Sequence, residues 1–215
     1  LYLRDSNFDP DFQKSASTSA LLYNLETEKN VDGIIAINFE AVKSLISKIG
    51  PVELSSYNKT LDEKNTFEFL QTTIDDNFFP GSTQKRDVLT ALFNQLILKL
   101  EDQNTFINAA SLLPKLIDEK HVLFAFNSAS IQSIFNTLGY GGILGDKRAV
   151  EQAIINDFLA INEANIGVNK ANINVTRITN YEVTFDNKIA SKVSHEIKND
   201  SEKEYKTYMR VFSPL

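Results

Sequence analysis

The chain has 215 residues, 42% hydrophobic and 23% charged, the make-up of a globular protein with one large core or two small ones. Its net charge of −6 offers no basic face to displace counterions from nucleic acid, which is set aside as the main partner. The chain lacks cysteine, and His121 and His195 stand outside any metal-binding spacing. Disulfides, thiolate catalysis and zinc–thiolate or histidine-based metal sites are therefore not expected.

In chain order, Leu1-Tyr2-Leu3 reads as the end of a strand, and Arg4 to Phe12 as a polar loop beyond it. Pro10 forces Asp9 out of helical geometry. Asp5, Asp9 and Asp11 beside Arg4 make a dense acidic cluster. One reading is a divalent-cation or phosphate site, its carboxylates serving as hard ligands for Mg2+. The other is a turn whose aspartates cap the following helix. A place at a strand end favours the first, because open α/β sheets put ligands there.

Lys14 to Leu25 reads as a helix with Ala16, Ala20 and Leu21 inward, joined by Tyr23 or Leu25, and Asp32 reads as a cap before the next strand, the alternative being that it reaches the site. The most specific stretch is Val31 to Leu54. Gly33 to Ile37 is a short apolar run, expected to be a strand buried on both faces. Asn38 is placed to cap a helix carrying Ala41, Val42, Leu45, Ile46 and Ile49. Gly50 and Pro51 close that helix, and Val52 to Leu54 extends again. This predicts a strand–helix–strand unit.

Thr60 to Glu63 has capping-box spacing and predicts a helix to about Asn77, with Phe67, Leu70 and Ile74 on one face, ended by residues 78–81. Gln84-Lys85-Arg86-Asp87 opens the next helix, with Leu89, Leu92, Phe93, Leu96 and Leu100 as its apolar positions. Lys85 and Arg86 in a first turn oppose the helix dipole and point to an anionic partner, either an aspartate or a phosphate. Asn104 to Glu119 continues as helix, restarted near Pro114. His121 to Phe126 is a strand, with His121 at its edge. Ser128 or Ser130 caps a helix ended by Gly139. Tyr140 to Asp146 is glycine-rich without P-loop spacing and reads as a helix exit and turn. Residues 150–158 read either as a short helix or as part of a long loop.

Asn162 to Lys170 reads as a polar turn. Asn165, Asn169 and Lys170 there could hold phosphate or sugar hydroxyls, or could simply favour turn geometry. From residue 173 the pattern alternates. A strand through Arg177 to Phe185 turns at Asp186-Asn187 and returns through Ile189 to Ile197, and Tyr205 to Phe212 is a third strand. Arg177 is directed to the site, and Arg210 to a solvated face.

Val31 to Leu54 carries a family resemblance, supported by LYLRDSNFDPDFQKSA at the start, QKRDVLTAL in the middle, and NEANIGVNKANINVTR and YMRVFSP near the end. These resemble the bacterial family catalogued as Domain of Unknown Function 4012. More distantly, the unit is similar to the LytR-CpsA-Psr phosphotransferases. The first resemblance implies that the chain is a fragment of a longer, extracytoplasmic, membrane-anchored protein of the bacterial cell surface, with the anchor in the N-terminal part outside this sequence. The second implies an Mg2+-assisted phosphotransferase acting on a polyprenyl-phosphate-linked glycan and a cell-wall polymer. In that scheme Asp5, Asp9 and Asp11 are catalytic, with Asp5 and Asp11 also holding the metal. Arg4, Lys85, Arg86, Asn165, Asn169, Lys170 and Arg177 would bind substrate. The chain departs from those enzymes in having Arg86 but not their run of arginines before the helix. The other reading is a non-catalytic extracytoplasmic module that binds envelope glycan or protein.

The fold expected is α/β: a central mixed sheet sandwiched by helices over residues 1–165, with antiparallel strands over 166–215 completing or extending it. The transferase reading requires the Arg4–Asp11 bend and the turn at Arg86 to share one rim of that sheet.

Overall fold

A computed structural model describes residues 2–75, 84–145, 157–167, 169, 171–186 and 189–213, and only the backbone of residues 4, 5, 71–75 and 84–86. The class is mixed α/β, as expected. The strands do not gather into one sheet: among the described residues they form four two-stranded antiparallel pairs. The chain divides into two compact units, Leu1–Ser6 with Phe12–Gly142, and Asn7–Asp11 with Ile143–Leu215.

The first unit is organised around helix α2 (Phe39–Ile49). The Asn38 side chain accepts from the Ala41 amide at 3.2 Å, capping the helix as its sequence predicts. Gly50 closes it at φ +82°. The Lys99 ammonium adds a cap from elsewhere, donating to the carbonyls of Ile49 (3.2 Å) and Gly50 (3.3 Å). Helix α2 serves two apolar clusters. Ile46 packs with Val52, Leu54, Leu61, Leu70, Val88, Leu92 and Leu96. Ala41 packs with Leu116, Ile117 and Val122. Each fully buried Val, Leu or Ile contributes about 1.5–3 kcal/mol to holding these elements together.

Strands β1 (Gly33–Ile37) and β2 (Val52–Leu54) flank α2 but do not pair with each other. Strand β2 pairs with β3 (Lys59–Leu61), and β1 pairs antiparallel with β4 (Val122–Phe126). The expectation that β1 is buried on both faces is corrected, since Ile35 and Ile37 are each 57% exposed. With β4 on one side and no other strand pairing among the described residues, β1 lacks the cover that its all-apolar sequence anticipates. Gly33 is required by close approach, because a Cβ there would lie 2.6 Å from the Ala125 carbonyl oxygen.

Other boundaries shift for local reasons. Leu3–Phe8 is a 3-10 turn rather than a strand end, in keeping with the backbone-competing side chains of Ser6 and Asn7. Helix α1 spans Phe12–Thr27 and buries Ala16 and Leu22, leaving Leu21 exposed. The capping box lies two residues later than expected, because Thr60 and Leu61 belong to β3. The Asp62 carboxylate accepts from the Lys64 and Asn65 amides, and the Asn65 side chain accepts from the Asp62 amide, ahead of α3 (Thr66–Asp75). The expected helix end at residues 78–81 lies outside the described residues. Helix α4 (Gln84–Leu100) turns Val88, Leu92 and Leu96 inward toward β2; Leu92 and Leu96 are buried as expected, whereas Leu89 and Phe93 are exposed and Val88 takes the remaining core position. Helices α5 (Gln103–Ala110) and α6 (Leu113–Asp118) are separate, with Pro114 in the first turn of the second. Helix α7 (Ala129–Thr137) follows β4 and packs Phe135 on Phe124 and Phe126.

In the second unit, β5 (Ala160–Asn165) pairs with β8 (Thr207–Phe212), and β6 (Val175–Phe185) forms a hairpin with β7 (Ile189–Asn199). The segment from Asn162 to Asn165, expected to be a turn, is strand. The hairpin register, Phe185 opposite Ile189, agrees with a turn after Phe185; residues 187–188 of that turn lie outside the described residues. The expected ambiguity over residues 150–158 falls largely outside them too.

Candidate functional site

Of the aspartates near the start, Asp9 serves the loop it sits in. The Asp9 carboxylate accepts from the Asp11 amide at 2.9 Å. Asp11 is buried and accepts from the Leu144 amide at 3.4 Å. The Asp9 contact is of the kind the turn reading describes, whereas the Asp11 contact reaches out of the loop to Leu144. Among the described residues, no group of three or more His, Asp or Glu side chains could hold a metal ion. The side chains of Arg4, Asp5, Lys85 and Arg86 lie outside the described residues, as does Lys170, and so does the expected meeting of the Arg4–Asp11 bend with Arg86.

Asn165 and Asn169 organise the turn after β5. The Asn165 side chain donates to the Asn169 carbonyl at 2.7 Å and accepts from the Gly167 amide at 2.9 Å. The Asn169 side chain donates to the Glu204 carbonyl and accepts from the Ala171 amide.

Arg177 belongs to a polar network centred on Glu163, which the sequence reading missed by treating β5 as a turn. Period-two alternation, with Ile161, Glu163 and Asn165 on one face, was the available signal. The Arg177 Nε donates to Glu163 Oε1 at 2.8 Å, Nη1 to the Val175 carbonyl at 2.9 Å, and Nη2 to the Tyr205 hydroxyl at 2.9 Å. Tyr205 donates to Glu163 Oε2 at 2.7 Å. His195 Nε2 lies 3.2 Å from Glu163 Oε1, and its Nδ1 lies 2.8 Å from the Thr179 hydroxyl opposite it in the hairpin. The side chains of Glu163 and His195 are nearly sealed from solvent, at 9% and 7% exposure. Burial pushes the Glu163 carboxyl up, but hydrogen bonds from Arg177, Tyr205 and His195 outweigh it, so the group titrates below its ordinary value. The hydrogen bond to Glu163 raises Arg177 against the opposing effect of burial. The result is a charge pair whose partners satisfy one another and which pins the β6–β7 hairpin to β5.

Arg210 is half-buried on the opposite face of the β5–β8 pair, not on a solvated face as its alternation suggested. Its guanidinium lies 4.2 Å from the Phe8 ring centre, and Nη2 donates to the Phe8 carbonyl and, at 2.7 Å, to the Asn162 side chain.

In the first unit, a cavity of about 90 Å3 opens between α1, β1, β4 and the start of α7. Its polar walls are Gln13, Ser17, Asn127 and Gln132, and Ala16, Ile34 and Ala125 supply apolar surface. A triangle of carboxamides holds one wall. Asn136 Oδ1 accepts from Gln13 Nε2 (2.5 Å) and Gln132 Nε2 (2.7 Å), while Gln132 Oε1 accepts from the Phe126 amide (2.6 Å). Gly141 lies against this triangle, where any Cβ would strike Asn136 Oδ1. No lining residue carries a charge.

The fold and these sites define a mixed α/β protein in which the Glu163 cluster is internally paired, while the buried Arg210 Nε has no hydrogen-bond partner among the described residues. Residues 1–74 match the model of the family described as “Protein of unknown function (DUF4012)”, which upholds the resemblance to that family, read from the sequence, over those residues. No curated protein and no solved structure matches the chain. No described helix is long and apolar enough to cross a membrane.

Proposed function

We propose that the chain is a non-catalytic extracytoplasmic module that binds glycan or protein of the bacterial envelope, within a protein anchored to the membrane through its N-terminal part. The observation that carries this reading is the commitment of Arg177. A phosphate-gripping arginine needs its planar fork directed at the ligand, whereas Arg177 spends Nε, Nη1 and Nη2 on Glu163, Val175 and Tyr205. Asn165, Asn169, Asp9 and Asp11 likewise have backbone partners, Asp9 and Asn165 in their own loops and Asp11 and Asn169 at Leu144 and Glu204.

A second reading is an Mg2+-dependent glycopolymer phosphotransferase resembling the LytR-CpsA-Psr enzymes. Its support is the start of α4 at Gln84, which puts Lys85 and Arg86 in a first turn, where an anion would offset their conflict with the helix dipole. Asp5, Asp9 and Asp11 would then serve metal and base, and Arg4 and Lys170 would join the phosphate contacts. Magnesium would neutralise charge developing on the transferred phosphoryl group.

Thermal unfolding in the presence of Mg2+ and a polyprenyl phosphate separates the two. A stabilising shift that disappears in Arg86→Ala and Asp5→Ala supports the transferase. No shift with either ligand, together with Mg2+-independent retention on solubilised envelope glycan or envelope protein, supports the binding module. Absence of both responses refutes both readings.

A further inference from the structure

We propose that the cavity between α1, β1, β4 and α7 is a subsite for the acetamido group of an N-acetylated amino sugar. The inference deepens the binding-module reading and rests on it for the glycan as partner.

The cavity's size comes first. Its volume of about 90 Å3 is several times the roughly 10–15 Å3 that one water needs by the same measure. That space accepts a nitrogen, a carbonyl and a methyl together. Its chemistry comes second. With only Gln13, Ser17, Asn127 and Gln132 as polar side chains, the walls provide no counter-charge for a phosphate, a carboxylate or a metal ion. The ligand group must be neutral.

The hydrogen-bonding capacity then selects among neutral groups. Asn127 donates through Nδ2 to the Val31 carbonyl at 2.6 Å, leaving Oδ1 as an acceptor. The Ser17 hydroxyl donates to the Gln13 carbonyl at 2.9 Å, and its oxygen can accept in turn. Gln132 uses Oε1 for the Phe126 amide and one Nε2 hydrogen for Asn136, so its second Nε2 hydrogen remains to donate. The second amide hydrogens of Gln132 and Asn127 and the oxygens of Asn127 and Ser17 suit an amide, which presents a carbonyl to Gln132 and an N–H to Asn127 or Ser17. Ala16, Ile34 and Ala125 supply the apolar patch that a terminal methyl requires. A bare hydroxyl would leave that patch unfilled, and an ammonium would meet no negative charge.

The rigidity of the site supports the assignment. Gln132 is held at both ends, Gly33 permits the close β1–β4 approach beneath, and Gly141 leaves room for the carboxamide triangle. A site ordered before binding loses little entropy when a small group enters.

The test is an amide-resolved NMR titration of the whole chain with N-acetylglucosamine, glucosamine, glucose and N-acetyl-lysine, alongside retention on solubilised envelope glycan. N-acetylglucosamine should move the Gly33 and Ala125–Asn127 amides and the Gln132 side chain, binding at least about tenfold more tightly than the other three. Ser17→Leu, a change on an exposed helical position that fills the cavity mouth, should weaken binding about tenfold or more while leaving amides elsewhere unmoved. Gln132→Glu, which keeps the acceptor for Phe126 but loses the donor, should weaken it too. Equal binding of glucosamine or glucose, equal binding of N-acetyl-lysine, shifts confined elsewhere, or unchanged binding by a folded Ser17→Leu variant would each overturn the proposal. If envelope glycan is still retained in any of those cases, the acetamido subsite fails and the binding-module reading stands. If neither sugar nor glycan binds, both fail.

Discussion

Replacing Glu163 by glutamine tests whether the network around it holds the second unit together. The substitution keeps shape and volume but turns one acceptor oxygen into an NH2 group. That donor must then face either Arg177 Nε or the Tyr205 hydroxyl, which donate at 2.8 and 2.7 Å in the native network. A hydrogen bond to a charged group is worth about 1.5–3 kcal/mol. Because the Arg177 side chain is 34% exposed, solvent takes over part of its loss. The net cost expected is about 1–2 kcal/mol. With a urea slope of about 2 kcal/mol per M, the midpoint should fall by roughly 0.5–1 M. The chain has no tryptophan, so tyrosine fluorescence is the natural probe, and Tyr181, Tyr205 and Tyr208 all lie in the second unit. The pH dependence gives an independent check. The folded Glu163 titrates below its unfolded value, so its stabilisation is complete above that value, near 4.5, and fades as pH falls through the folded one. Wild type should lose this contribution on acidification, and Glu163→Gln should have none to lose. An unchanged urea midpoint together with an unchanged acid slope would refute the reasoning.

Further outcomes are expected elsewhere. Asn38→Ala should lower stability by about 0.5–2 kcal/mol in a denaturant melt, through loss of the cap on α2. Gly33→Val should leave little folded protein in the soluble fraction, since even a Cβ collides with the Ala125 carbonyl; a normal melting temperature would contradict this. Arg210→Met keeps the aliphatic stem over Phe8 but removes its hydrogen bonds to the Phe8 carbonyl and Asn162, and should cost about 1–2 kcal/mol by urea unfolding.

The first unit was the more legible in the sequence, for a physical reason. Helix α2 carries its own start, apolar stripe and stop, so its boundaries depend on local chemistry, and Asn38 and Gly50 stand where they were expected. The pairing of β1 is a long-range property: Gly33 meets Phe126 across most of the unit, and no local pattern announces that partner. The misplaced positions Leu21 on α1 and Leu89 on α4 share one cause. Leu21 beside Leu22, and Leu89 beside Val88, give the helix two adjacent apolar rows, and only the neighbour decides which is covered. The Glu163 network was hidden because Asn162, Asn165 and Gly167 mark turns so strongly that the short strand through Glu163 was overlooked. Arg177 reads in the sequence as directed to a substrate site, and its acidic partner could not be named before β5 was recognised. The carboxamide cavity draws on α1, β1, β4 and α7, and no motif in any one of them foretells it.

Helix α2 contributes Ile46 to one apolar cluster and Ala41 to the other, with Lys99 closing its far end. Damage to either cluster should therefore loosen the same rod, and the two halves of the first unit should melt as one body rather than in stages. Hydrogen exchange would register this as α2 amides that open only when that whole body opens, making this helix the slowest reporter of its unfolding.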